Sequence, residues 1–322
     1  MTLEFLQPAI GADMQSVDRV LRTSLASDVA LIRQVAEYII AGGGKRLRPA
    51  VLLLAAGACG YRGDAHHTLA AVIEMIHTAT LLHDDVVDES SLRRGHATAN
   101  AEFGNAAAVL VGDFLYSRAF QLMVGVERMP VLAIMADATN VIAEGEVMQL
   151  MHAGDAALTE TAYFEVIRRK TAKLFEAAGR IGAVLGGADS HREDALAQYG
   201  LHLGTAFQIM DDVLDYSGDA AAIGKNLGDD LAEGKMTLPL IRALAVGDAA
   251  DAQVIRHAIG GGGLTDFRPV VASLERTGAL AYARGRALAA SRAAVASLAD
   301  LPPSPSRDSL LQLATFASDR SF

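Results

Sequence analysis

The chain has no tryptophan and only one cysteine, Cys59, in 322 residues. One thiol cannot close an internal disulfide, and it excludes a cysteine-rich zinc or iron–sulfur site. It fits a reducing compartment. Basic residues are also short. Against 38 Asp and Glu stand 28 Lys and Arg, a formal net charge of −10. A general nucleic-acid binder needs the opposite balance, so no nucleic-acid partner is expected. Anionic small molecules remain open, because a local basic cluster or a bound cation reverses the local field. The longest apolar runs, such as 50–60, fall far short of the ~20 residues that span a bilayer. Met1-Thr2-Leu3-Glu4-Phe5 lacks the basic start and apolar stretch of a secretory signal. A soluble, cytoplasmic protein is expected.

Proline is scarce in the middle of the chain. Of 8 prolines, only Pro130 lies between Pro49 and Pro239. A helix-interior proline costs ~3 kcal/mol, so its absence permits long helices. Two-residue alternation and Asn-Gly hairpin signals are absent as well, and the expected class is all-α. The pattern predicts helices over 8–24, 27–41, 48–60, 66–89, 101–126, 130–152, 159–185, 191–215, 236–247, 251–259, 266–297 and 306–320. Residues 69–82 are apolar almost all round, the signature of a helix buried in a bundle. No break resembles an interdomain linker, so residues 1–322 are expected to form one domain.

What is present is acidic and repeated. His83-Asp84-Asp85-Val86-Val87-Asp88 and Met210-Asp211-Asp212-Val213-Leu214-Asp215 both read Asp-Asp-x-x-Asp. On a helix, i and i+4 share a face, so Asp84 aligns with Asp88 and Asp211 with Asp215. Stacked like charges after an apolar segment repel and need a cation to offset them. Carboxylate oxygens without histidine or cysteine at ligand spacing suit Mg²⁺, which shares its shell with substrate phosphates. Glu74-x-x-His77 has the di-iron spacing, but those bundles need two copies and no second one occurs.

Basic motifs stand beside the acids. Gly42-Gly43-Gly44-Lys45-Arg46-Leu47-Arg48-Pro49 is not a P-loop, since Ile39 and Arg46 occupy positions that need Gly and Ser or Thr. It reads as a turn presenting Lys45 and Arg48 at a helix start, a place suited to a diphosphate. Arg93-Arg94 follows the first acidic cluster, Lys170-Thr171 lies between the two, and Lys225 and Lys235 lie in a glycine-rich segment, 216–235, read as a mobile lid.

Together, the two Asp-Asp-x-x-Asp clusters, GGGKRLRP, LRRG, the Lys-Thr pair and Gln208 before the second cluster resemble the trans-isoprenyl diphosphate synthase (polyprenyl synthetase) family over about residues 40–240. LLHDDVVDES, GNAAAVLVGDFLYSRAFQ, EGEVMQL and HLGTAFQIMDDVLDYSGD are most similar to its bacterial long-chain, octaprenyl-making branch. Met236 departs from the GKPTLP pattern but leaves Lys235 in place. The resemblance implies an isoprenoid-synthase bundle of about ten to thirteen helices around a central active-site cavity. It implies Mg²⁺-dependent, repeated condensation of isopentenyl diphosphate onto an allylic diphosphate such as farnesyl diphosphate, supplying a quinone side chain. It further implies two or three Mg²⁺ ions, a homodimer, and at most transient membrane contact when the lipid product leaves.

Carried onto this chain, the resemblance makes Asp84, Asp88 and Asp211 the Mg²⁺ ligands. Asp85, Asp212 and Asp215 then act through water or by orienting the ligands. Arg93, Lys170, Lys225 and Lys235 hold the allylic diphosphate, and Lys45, Arg48, His77 and Arg94 hold isopentenyl diphosphate. Thr171 and the amide oxygen of Gln208 face the allylic cation. Product length is expected to be set one and two turns below Asp84, at Thr80, Ala79, Ile76 and Met75. No aromatic lies between 69 and 83 to plug a tunnel, so a long product, about C40, is expected, with Met123 a candidate floor. The same fold making geranylgeranyl or farnesyl diphosphate, and a non-catalytic subunit of a heteromeric synthase, stay open at this point.

Overall fold

The computed structural model describes residues 4–93, 95–217 and 227–319. Its described residues are almost all helical. Along the chain come α1 (Gln7–Ser24), α2 (Ala30–Ala41), α3 (Leu47–Ala58), α4 (Ala65–Val87), α5 (Ala99–Phe103), α6 (Asn105–Gly125), α7 (Met129–Met151) and α8 (Glu160–Ile167). They are followed by α9 (Lys173–Leu185), α10 (Ser190–Ser217), α11 (Asp229–Ala232), α12 (Leu238–Val246), α13 (Ala249–His257), α14 (Phe267–Arg276), α15 (Ala279–Ser297) and α16 (Pro305–Ser318). One short antiparallel pair, β1 (Leu92–Arg93) with β2 (His96–Ala97), was not expected. It turns on Gly95, whose φ of 78° a side chain disfavours.

Three expected helices are broken. Residues 101–126 divide at Gly104 (φ 86°, ψ 156°), and 266–297 divide at Gly278 (φ 67°). Residues 159–185 are interrupted by a wider i→i+5 turn, Arg168–Ala172, which contains the Lys170-Thr171 pair. Such turns concentrate at functional sites.

The chain forms two compact units. The first comprises Met1–Thr139, Leu174–Gly200 and Ser297–Gln312. Its central element is α4, which packs against α1, α3 and α6. As the pattern of 69–82 predicts, Leu69 to Ile73, Met75, Ile76 and Ala79 are buried. Polar ties fix the N-terminal half of α4: His67 Nε2 meets Asp13 Oδ1 at 2.9 Å, and Arg46 Nη1 donates to Glu74 Oε1 at 2.7 Å. Glu74 is therefore committed to an arginine, which removes the di-iron reading. By length and composition alone α6 is apolar enough to cross a membrane, beyond what the apolar runs suggested. Its Ala108, Val111, Leu115, Ala119 and Met123 are nonetheless buried, while Leu110 and Val124 are exposed.

The second unit comprises Asn140–Lys173, Leu201–Ala296 and Leu313–Phe322. Its core joins Tyr163 and Ile167 of α8 to Ile209, Met210 and Val213 of α10 and to Leu238, Ile255, Leu274 and Ala283 of α12 to α15. Asp248 and Asp251 form a reciprocal cap on α13, and Asp251 also accepts from Ser273 at 2.6 Å, tying α13 to α14.

Backbone proximity in the first unit depends on Gly182 in α9. A Cβ there would lie 2.6 Å from Ala55 Cβ, 2.7 Å from Leu52 O and 2.8 Å from Ala56 N of α3. Gly182→Ala should gain a little helix propensity but force two backbones apart. Its unfolding free energy is expected to fall by about 1–3 kcal/mol in urea titration. An unchanged or raised midpoint would contradict the close approach.

Candidate active site

In the first unit, α4 ends on the aspartates because its apolar run stops there. Glu89 adopts a left-handed φ of 51°, and Ser90 N bonds to Asp85 O at 3.0 Å. The turn that follows is held by Asn100 Nδ2, which donates to Asp85 O at 3.0 Å and Ser90 O at 3.1 Å, and by Thr98 Oγ1, which donates to Ser90 O at 2.7 Å. Sequence reading missed both residues; their proximity to the motif was the only signal.

The three aspartates face differently. Asp85 is buried and receives Arg93 on both oxygens, Nε to Oδ1 at 2.9 Å and to Oδ2 at 3.2 Å, with Nη2 to Oδ1 at 2.6 Å. Burial opposes the charge on Arg93. The hydrogen bonds and charge of Asp85, then the charges of Asp84 and Asp88, outweigh it and hold the guanidinium pKa above its ordinary value. Asp84 and Asp88 are half-buried on the neighbouring face. Asp85 thus serves to aim Arg93.

The glycine turn before α3 presents three cations in different ways. Lys45 is exposed. Arg46, with a left-handed φ of 49°, turns its side chain to Glu74. Arg48 Nη1 donates to His77 Nε2 at 3.0 Å while its guanidinium lies 4.4 Å over the Phe175 ring. A guanidinium only donates, so Nε2 accepts and the His77 proton sits on Nδ1. Arg48 and His77 are brought together; Arg94 lies outside the described residues. Below the motif, Met75, Ile76 and Ala79 are buried, as is Met123 on α6, and half-buried Thr80 donates to His77 O at 2.8 Å. Gly112 of α6 admits the His83 ring, since a Cβ there would lie 2.3 Å from His83 Nε2.

In the second unit, Lys170 and Thr171 sit on the wide turn. Gly145 of α7 makes room for it: a Cβ at 145 would lie 2.6 Å from Lys170 N. Lys170 Nζ donates to Gln149 Oε1 at 2.6 Å and pairs with Glu146 Oε2 at 2.5 Å. Arg169 bonds to Glu144 at 2.5 Å and to Glu165 at 2.7 Å. Neither Glu146 nor Gln149 was read as a site residue; their i, i+3 spacing in EGEVMQL was the available signal.

Thr171 Oγ1 donates to Gln208 Oε1 at 2.8 Å, and Gln208 Nε2 donates to Asp212 Oδ1 at 2.8 Å. Tyr163 Oη donates to Asp212 Oδ2 at 2.5 Å. The Gln208 amide oxygen, expected to face a cation, accepts from Thr171, and the amide nitrogen is turned to Asp212 Oδ1. Tyr163 was missed; it lies two turns before Lys170 on one helical face. Burial pushes the Asp212 carboxyl well above the usual carboxylate range, reinforced by the charge of Asp230 and opposed by the Tyr163 and Gln208 hydrogen bonds. Burial likewise raises the Tyr163 phenol well above its ordinary value, with the charge of Asp212 adding to it.

Asp211 and Asp215 are half-buried. Asp230 N donates to Asp215 Oδ2 at 3.3 Å, and Gly228 N donates to Asp215 O at 3.1 Å. Lys235 pairs with Glu233, and its N donates to Asp230 O at 2.8 Å. Lys225 lies outside the described residues, as does 218–226 of the segment read as a lid. The described part, 227–235, is folded back by these bonds.

The family model described as Polyprenyl synthetase matches residues 29–269. The chain is 52% identical over 321 residues to octaprenyl diphosphate synthase of Escherichia coli K12, covering 99% of each. It is 45% identical over 324 residues to the geranyl-diphosphate-specific all-trans-nonaprenyl-diphosphate synthase of Rhodobacter capsulatus, again covering 99% of each. A crystal structure of polyprenyl synthase from Caulobacter crescentus, complexed with calcium and isoprenyl diphosphate, superposes with a TM-score of 0.96 at 46% identity, covering 100% of this chain and 98% of that one.

Proposed function

The chain belongs to the polyprenyl synthetase family, and from that premise we propose that it is a long-chain trans-polyprenyl diphosphate synthase acting as one 322-residue catalytic domain. It condenses isopentenyl diphosphate repeatedly onto an allylic diphosphate, with farnesyl diphosphate as primer, to a product of about C40 that supplies a quinone side chain. The full-length likeness to octaprenyl synthases supports the product class.

The observation that carries this reading is the division of labour inside each Asp-Asp-x-x-Asp. The middle aspartates, Asp85 and Asp212, are buried and take side-chain donors on both oxygens, while Asp84, Asp88, Asp211 and Asp215 are half-buried. Half-buried carboxylates with no histidine or cysteine at ligand spacing are hard oxygen donors, which fit Mg²⁺. Asp84, Asp88 and Asp211 hold two or three such ions, with Asp215 acting through water or by orienting its neighbours. When bound, Mg²⁺ neutralises the allylic diphosphate and stabilises charge on it as it leaves.

The protein's own groups do the rest. Arg93, aimed by Asp85, grips the allylic diphosphate with Lys170, Lys225 and Lys235; Lys170 exchanges its Glu146 partner for phosphate oxygens. Lys45, Arg48, His77 and Arg94 hold isopentenyl diphosphate. Thr171 turns its lone pairs to the allylic cation, with Gln208 behind it. The departed diphosphate removes the final proton. Pairing with a second copy of the chain is taken from the family resemblance. The chain works in the cytoplasm and meets membrane only as product leaves.

Purified protein incubated with Mg²⁺, farnesyl diphosphate and labelled isopentenyl diphosphate should yield a dominant C40 product after dephosphorylation, lost on adding EDTA. A C15–C20 product would overturn the long-chain reading and keep the chemistry. No consumption of isopentenyl diphosphate by the protein alone would instead favour a non-catalytic subunit.

Chain length is set by Met75, Ile76, Ala79 and Thr80, with Met123 as the floor. Ala79 is fully buried on α4 and small. Ala79→Tyr should shorten the product to about C15–C20, read by sizing the products; unchanged length would contradict the assignment.

A further inference from the structure

We propose that Tyr163 is a positioning residue for the ionisation step: through Asp212 and Gln208 it fixes Thr171 with its lone pairs toward the developing allylic cation. The inference rests on the prenyl-transfer reading above.

Three hydrogen bonds converge on Asp212, two from one side through Gln208 and one from Tyr163 on the other. Tyr163 and Gln208 donate to the two oxygens of Asp212, at 2.5 and 2.8 Å, and Thr171 donates to Gln208 at 2.8 Å. The Gln208 amide nitrogen lies against Asp212 Oδ1. The Gln208 carbonyl then faces Thr171 and takes its single hydroxyl proton. What Thr171 offers to anything else is oxygen lone pairs. Those lone pairs form no bond: the allylic C–O bond breaks, its electron pair leaves on the diphosphate, and the oxygen stabilises the cation by its dipole. A dipole already oriented costs no reorganisation when charge develops, and bonds in series polarise one another.

Tyr163 is needed because the carboxylate torsion is soft and roughly two-fold. With Oδ2 unheld, Asp212 rotates and the amide behind it loses its single orientation. Packing does not account for the hydroxyl. The Tyr163 ring sits edge-on to Phe164 with centroids 5.4 Å apart, a contact phenylalanine would keep. Tyr163 is 4% exposed and Asp212 2% exposed, so no bulk water replaces the lost donor.

The test is a double-mutant cycle of Tyr163→Phe with Thr171→Val. In the wild-type background Tyr163→Phe should lower kcat about tenfold, the usual cost of losing an orienting partner. KM for both diphosphates should stay within about twofold, because ground-state binding is untouched. Hydrolysis of farnesyl diphosphate without isopentenyl diphosphate, which needs only ionisation, should fall by the same factor. In the Thr171→Val background Tyr163→Phe should cost nothing more. Multiplicative losses, or a raised KM at unchanged kcat, would overturn the proposal. Should circular dichroism show Tyr163→Phe unfolded, Asp212→Asn goes through the same cycle with the same two outcomes. A wild type that makes no prenyl product defeats the function assigned above; a wild type that turns over with multiplicative variants defeats only the role of Tyr163.

Discussion

Carboxylates stacked at the end of an apolar helix repel one another, and each needs a partner for the helix to end there. In both motifs the protein resolves this in the same way. It buries the middle aspartate and satisfies it completely, Asp85 with Arg93 and Asp212 with Tyr163 and Gln208. Breaking such a buried pair costs several kcal/mol, on the order of 3–5, so these contacts fix the motif backbone. The flanking aspartates are half-buried.

The same contacts aim the basic and polar groups. Arg93 is directed because Asp85 holds three of its hydrogen bonds. Thr171 is directed because Asp212 orients Gln208. Backbone proximity supports this at two glycines: Gly145 lets the wide turn of Lys170 and Thr171 meet α7, and Gly112 lets His83 pack just before Asp84. In each motif the middle aspartate serves as a support for a cation or dipole beside it.

Much of this was legible in the sequence. The all-α class followed from proline spacing, and burial of 69–82 followed from its apolar circumference. Identical spacing in the two acidic motifs put Asp84 with Asp88 and Asp211 with Asp215, because i and i+4 share a face. What was not legible depended on long-range partners. Nothing local pairs Glu146 with Lys170 or Tyr163 with Asp212, since these contacts cross between helices far apart in the chain. The turn at Arg168–Ala172 was hidden because its residues are ordinary helix formers, and only the clash that Gly145 avoids reveals why the helix widens there. The amide orientation of Gln208 was not legible either, since it follows from the contact with Asp212 one helical turn on.

Mn²⁺ binding followed by electron paramagnetic resonance, with inorganic diphosphate present in place of substrate, tests the division of labour most directly. The number of ions bound should fall in Asp84→Asn, Asp88→Asn and Asp211→Asn, and should be retained in Asp85→Asn and Asp212→Asn even where affinity weakens. If the middle-aspartate variants lost as many ions as the flanking ones, the middle carboxylates would be ligands themselves, and the account of the two motifs would be contradicted.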